Sequence, residues 1–173
     1  MKVVINAGHF VGVDPGAPGS RSTEAEIVRF ISEVVVNDLE AAGVEAILVT
    51  DDNLAEVCRQ ANTFKADLFV SIHCNSAANF SAHGTETFYY KGSEQSYRLA
   101  KCVQAQLLDT MGTADRGLKD GSWLYVVKYT NMPAVLTEIG FISNYVEETY
   151  IIEHKRVIAH AIARGITDYI NEV

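Results

Sequence analysis

A chain of 173 residues with 48% hydrophobic and 21% charged residues has the composition of one folded domain, not of a disordered or fibrous polymer. Its net charge of −8 and pI near 5.0 exclude the basic surface that phosphate backbones need, so no nucleic-acid partner is expected. No apolar run reaches the roughly 20 residues of a spanning helix, so no membrane insertion is expected either.

Lys2–Ala7 reads as a first buried strand, followed at Gly8 and His9 by the loop FVGVDPGAPGSRS. That loop is rich in Gly, Pro and Ser and long for a strand-to-helix connection, which points to a functional segment. Met1 and Lys2 run straight into the strand with no apolar leader or cleavage site. The expectation is export by another route, or a catalytic piece of a longer product. Thr23 and Glu26 form a T-x-x-E capping box that opens a helix. Its apolar stripe is Ile27, Ile31, Val34, Val35 and Leu39, with Gly43 at the C′ position. Val44–Thr50 reads as a second strand and Asn53–Phe64 as a second helix. Ala66–Asn75 (ADLFVSIHCN) is then an almost unbroken apolar run that stops at His73, as a strand covered on both faces does.

Strand and helix alternate up to this point, which implies a parallel, right-handed arrangement. Beyond a polar loop at Ser76–Gly84, the pattern predicts a strand over Thr85–Tyr90, a helix over Ser93–Met111, a loop over Gly112–Ser122 and a strand over Trp123–Lys128. A last strand, Ala134–Thr137, ends at Glu138, and an amphipathic helix follows with Val157, Ile158, Ala161, Ile162, Ile166 and Ile170. The expected fold class is α/β: a single three-layer domain with a mixed, mostly parallel twisted sheet of about six strands and helices on both faces.

Four chemically capable side chains converge on the C-terminal edge of that sheet, where open α/β sheets bind their ligands. His9 follows the first strand, His73 ends the third, Glu138 ends the last, and Glu24 opens the first helix. Two histidines and a carboxylate form a standard catalytic zinc set, and a second carboxylate can then move the proton of an attacking water. Each residue has a plainer reading. His9 and His73 can be ordinary loop and strand-end residues, and Glu24 a favourable charge at a helix N-terminus. Glu26 is explained by the capping box, whereas Glu24 heads the line of Ile27, Ile31 and Val35 and faces the core side, where a bare carboxylate is costly. Glu138 at a buried strand end is costly in the same way. Asn75 either orients substrate or ends its strand.

The cysteines Cys58, Cys74 and Cys102 are odd in number and far apart, so they read as core residues and not as disulfides or thiolate ligands. Cys74 as a nucleophile with a nearby histidine is a rival enzyme reading, disfavoured because it leaves His9 and Glu24 unexplained. A catalytically dead binding module on the same fold is a third. His83, His154 and His160 read as surface residues.

INAGHFVGVDPGAPG, Glu24, LAEVCRQAN, ADLFVSIHCNSAAN, GTETFYY, DRGL and MPAVLTEIGFISN occur in this order and resemble the zinc-dependent N-acetylmuramoyl-L-alanine amidase catalytic domain of the type-3 amidase family. The resemblance implies a zinc exopeptidase/phosphorylase-hydrolase-like fold and a single catalytic domain over residues 1–173. It implies cleavage of the amide between N-acetylmuramic acid and the L-alanine of the peptidoglycan stem peptide. It further implies one Zn2+ ion held by His9, Glu24 and His73, with Glu138 as the catalytic glutamate. Asn75 and, in the loop, Arg116 are the candidates for substrate contact. Peptidoglycan is then the partner, an extracytoplasmic site of action follows from the substrate, and a monomer is expected. Phe10 stands where relatives usually have glycine, and Cys74 where they have alanine. The short span from His73 to Gly84 leaves no room for an autoinhibitory helix.

Overall fold

The protein was analysed as a computed structural model that describes residues 1–172. Six strands form one sheet: β1 (Lys2–Ala7), β2 (Glu45–Val49), β3 (Leu68–Asn75), β4 (Thr85–Tyr89), β5 (Asp115–Asp120) and β6 (Ala134–Phe141). Across the sheet the order is β2-β1-β3-β6-β4-β5. β2, β1, β3 and β6 run parallel, whereas β4 is antiparallel to β6 and β5 parallel to β4. The expected mixed, mostly parallel sheet is present. Five helices cover it: α1 (Glu24–Ala41), α2 (Leu54–Phe64), α3 (Glu94–Met111), α4 (Tyr125–Tyr129) and α5 (Tyr145–Glu172).

Alternation along each strand divides the core in two. Val3, Ile5, Val70 and Ile72 point to one face, where they pack with Ile31 and Val35 of α1, Leu99 and Val103 of α3, and Ile158 and Ile162 of α5. Val4, Phe69, Ala134 and Leu136 point to the other, against Val57, Cys58 and Ala61 of α2 and Val126 and Val127 of α4. The expected three layers result, with Thr23 and Glu26 forming the expected capping box at α1.

Two expected elements are exchanged. Trp123–Lys128 is not a strand: Trp123 and Leu124 lie in the approach to α4, which carries Tyr125–Tyr129. Its apolar run packs as one helical turn, with Val126 and Val127 buried against α2 while Trp123 is exposed. The predicted loop Gly112–Ser122 instead contains β5. That strand is polar and mostly exposed at the sheet edge, so it lacks the apolar alternation by which a strand is read. Val157, expected in the stripe of α5, is exposed, and Cys102 is half-buried at the α3–α5 surface and not in the core.

Helix α5 begins with two buried carboxylates that hold loops over the sheet edge. Glu147 accepts the backbone N–H groups of Gly84 (2.9 Å) and Phe141 (2.7 Å). Glu148 accepts the N–H of Arg21 at 2.7 Å and the hydroxyl of Ser20. Farther along, α5 meets α3 at Gly165, where an added Cβ would lie 2.6 Å from the Cα of Val103. Alanine gains about 1 kcal/mol over glycine inside a helix, but overpacking backbone against backbone costs about 1–3 kcal/mol. Gly165→Ala is therefore expected to be net destabilising, lowering the urea midpoint at unchanged m-value; a raised midpoint would show that the helices simply slide apart.

Candidate metal centre and active site

The geometry is built around Glu24. Because Glu26 closes the capping box, the first residue of α1 is free to turn its side chain inward, and Glu24 is only 3% exposed. Its Oε1 accepts the N–H of Cys74 at 3.1 Å and lies 3.0 Å from Nδ1 of His73. Its Oε2 accepts the N–H of Ala17 at 3.0 Å and lies 3.2 Å from Nε2 of His9. Burial opposes ionisation of this carboxyl, but the hydrogen bonds with His73 and His9 outweigh it and hold it well below the usual carboxylate range.

His9 reaches Glu24 from a strained position. Its φ is 64°, the left-handed region that costs a non-glycine residue roughly 1–2 kcal/mol. A tight turn holds it there, with paired backbone bonds between Phe10 and Asp14 (2.9 and 2.8 Å) and Asp14 Oδ2 at 2.6 Å from His9 Nδ1. Two glycines make the room: an added Cβ on Gly16 would sit 2.6 Å from the His9 ring, and one on Gly8 would strike the His73 ring. The hydrogen bond with Glu24 raises the His9 pKa to about 9; burial works against it and Asp14 adds to it.

A chain of polar groups orients His73 from below. The Asn6 amide donates to the carbonyls of Ala7 (3.2 Å) and Val49 (3.0 Å), so its Oδ1 is the atom that accepts the Ser71 hydroxyl at 2.7 Å. With its hydrogen committed, Ser71 Oγ accepts from Nε2 of His73 at 3.2 Å. Nε2 is thereby held by Ser71, and Nδ1 is the ring nitrogen turned toward Glu24. One donor atom each from His9, Glu24 and His73 lies within 4.8 Å of the others. Two imidazoles and a carboxylate so arranged, each braced by a further hydrogen-bonding group, are a donor set that suits a divalent metal such as zinc.

Glu138 stands beside this group. It is the register partner of His73 across β3 and β6, and its Oε2 is buried with no hydrogen-bond partner among the described residues. Burial raises its pKa to about 7 despite the counter-effect of His73, with Glu24 and Glu86 pushing the same way as burial. An orphaned buried oxygen costs about 1–3 kcal/mol, which is uneconomic unless a ligand or reaction uses it. Glu86 is the register partner of Glu138 on its other side, in β4. The two expected substrate-contact residues meet there: Asn75 Nδ2 donates to Glu86 at 2.7 Å and Arg116 Nε at 2.9 Å. A cavity of about 280 Å³ opens against His9 and His73, walled by Asp14, Leu54, Tyr125 and Leu136.

The remaining candidates lie elsewhere. His83 is exposed, His154 stacks on Tyr150 with ring centroids 4.1 Å apart, and His160 pairs with Asp38 at 2.5 Å. Cys74 is buried on the opposite face from His73, in the apolar core, and burial drives its thiol pKa well up, with Glu24 adding to it. Such a thiol is a poor nucleophile. Asp14, Asn6, Ser71 and Glu86 were not singled out from the sequence as parts of the centre. The available signals were polar residues at alternate positions within buried strands, and an acid inside a glycine-rich loop.

The family described as N-acetylmuramoyl-L-alanine amidase matches residues 3–168. The chain is 40% identical to the uncharacterised protein YqiI of Bacillus subtilis, covering 98% of this chain and 85% of that one. It is 35% identical to the N-acetylmuramoyl-L-alanine amidase LytC of the same organism, covering 96% of this chain but only 35% of LytC. Among solved structures, the N-acetylmuramoyl-L-alanine amidase AmiC2 of Nostoc punctiforme superposes with a TM-score of 0.91 at 33% identity, covering 99% of this chain and 97% of that one.

Because the His9 pKa is raised to about 9, the metal-free protein carries a proton there at pH 7 that a metal must displace. The ion pair with Glu24 stabilises the metal-free fold fully below pH 6.5 and is lost as the pH rises through about 9. Metal uptake is expected to release about one proton at pH 7 and to tighten up to pH 9, which titration calorimetry in two buffers of different ionisation enthalpy measures. Asp14→Asn is expected to weaken metal binding about 10- to 100-fold, read by competition with a chromogenic chelator.

Proposed function

The chain belongs to the N-acetylmuramoyl-L-alanine amidase family, and on that premise we propose that it hydrolyses peptidoglycan at the amide between N-acetylmuramic acid and the L-alanine of the stem peptide. In this reading the whole chain is one catalytic domain that works outside the cytoplasm, where peptidoglycan lies. His9, Glu24 and His73 hold one zinc ion. The observation that carries the proposal is the juxtaposition of Glu138, with its partnerless buried oxygen, and His73 in register beside it.

Zinc held by His9, Glu24 and His73 would supply Lewis acidity. The rest of the chemistry falls to the chain's own groups. Glu24 contributes negative charge that stays ionised, because its pKa is held low. His9 and His73 present Nε2 and Nδ1, fixed by Asp14 and Ser71. Glu138, with a pKa of about 7, is matched to accept a proton from the attacking water and return it to the leaving nitrogen of L-alanine. The burial of Cys74 supports this mechanism over a thiol nucleophile.

Purified protein incubated with bacterial peptidoglycan is expected to release L-alanine amino termini from intact glycan strands, detected by mass spectrometry. A chelator should abolish this and added zinc restore it, while thiol alkylation should leave it unchanged. Glu138→Gln is expected to lose at least about 100-fold in kcat while retaining stoichiometric zinc by elemental analysis. Cleavage that survives both the chelator and Glu138→Gln would refute the mechanism.

A further inference from the structure

We propose that Arg116 is a carboxylate receptor for the stem peptide, binding the free carboxylate of the residue that follows L-alanine; this rests on the amidase reading of the site. The first observation is the backbone. Thr85 pairs with Asp115 and Glu86 with Gly117, so Arg116 is an extra residue, skipped by the ladder between β4 and β5. Such a bulge turns a side chain out of the strand's alternation, and bulges recur beside active sites for that reason. The bulge is built for it: Gly117 has φ 82°, and an added Cβ on Gly84 would lie 2.8 Å from Cγ of Arg116.

The second observation is how the side chain is held. Nε donates to Glu86 at 2.9 Å, and the guanidinium lies 4.9 Å from the ring centroid of Phe141. Nη1 and Nη2 have no hydrogen-bond partner among the described residues, and 39% of the side chain is exposed. A buried carboxylate and an aromatic face thus fix the stem and inner edge of the guanidinium, and its outer edge faces outward. Two parallel N–H groups on a rigid plane match the two oxygens of a carboxylate. Glu86 is not itself the intended ligand, since Asn75 already donates to its other oxygen at 2.7 Å. No other lysine or arginine among the described residues bonds to a member of the row His73, Glu138 and Glu86.

The third observation is distance. β6, β4 and β5 are consecutive in the sheet, so Arg116 starts roughly 10 Å from the Glu138 strand at about 4.8 Å per strand, and its bond with Glu86 brings it back toward Glu138. An extended peptide covers about 7 Å in two residues. A carboxylate on the residue after L-alanine therefore falls within reach when the scissile amide lies at Glu138. In a chain of net charge −8, this braced cation also offsets the repulsion an acidic stem peptide meets at the site.

The test compares two muramyl peptides that differ only in whether the residue after L-alanine bears a free carboxylate or a carboxamide. Wild-type zinc enzyme is expected to prefer the carboxylate by roughly 10- to 100-fold in kcat/KM. Arg116→Met should erase the preference by losing efficiency on the carboxylate substrate alone, and Arg116→Lys should restore only part of it. Because Arg116→Met leaves Glu86 buried without its cation, the double variant Glu86→Gln/Arg116→Met provides a version without that charge. It too should show no preference. Equal efficiency of the wild type on both substrates, or equal loss on both in each variant, overturns the receptor and leaves Arg116 as a counter-ion for Glu86. Failure of the wild type to cut either substrate would instead fault the amidase reading.

Discussion

One buried carboxylate organises the functional edge of this protein. Glu24 gathers the N–H of Ala17 from the long first loop, the N–H of Cys74 from β3, and both histidines. Isolated, a carboxylate at 3% exposure would be among the costliest groups in the fold. Surrounded by donors, it becomes the point where three distant stretches of chain must agree in position. The left-handed backbone at His9, the glycines at positions 8 and 16, and the bracing of His73 through Ser71 and Asn6 all serve that agreement.

The sheet topology adds the second half of the site. Parallel β1 and β3 bring His9 and His73 to one edge, and β6 beside β3 adds Glu138. Then β4 enters antiparallel, so that Glu86 at its start, not its end, stands level with Glu138. The row His73, Glu138, Glu86 crosses three neighbouring strands with charges of alternating capability. Its outer carboxylate is neutralised by Arg116, while the central one has a free oxygen and a pKa of about 7. Two adjacent acids thereby stand in different surroundings, one bonded to a cation and the other with an oxygen left without a partner.

Much of this was legible in the sequence because the relevant signals are local. The capping box separated Glu26 from Glu24, and polar breaks in apolar runs marked His73 and Glu138, although β3 continues to Asn75 and β6 to Phe141, so neither residue ends its strand. The exchange at residues 112–128 shows where local signals fail. DRGLKD is a strand only because β4 offers it an edge, and YVVKY is a helix only because α2 offers Val126 and Val127 a partner. Asp14, Ser71 and Asn6 were hidden for a related reason: their roles are defined by atoms far away along the chain. Arg116 read as a loop residue, since nothing in the sequence alone reveals a skipped register.

The two carboxylates that open α5 carry a consequence for how the molecule comes into being. Glu148 holds the backbone at Arg21, 127 positions away in sequence, and Glu147 holds Gly84, 63 positions away. A nascent chain emerging from the ribosome has all of β1, the glycine-rich loop and the first turn of α1 long before either carboxylate exists. Until α5 is translated, those loops lack their tethers and long-range closure is unrewarded. This edge is therefore assembled last, so a chain truncated before residue 147 keeps His9, Glu24 and His73 yet lacks the tethers that fix the loops around them.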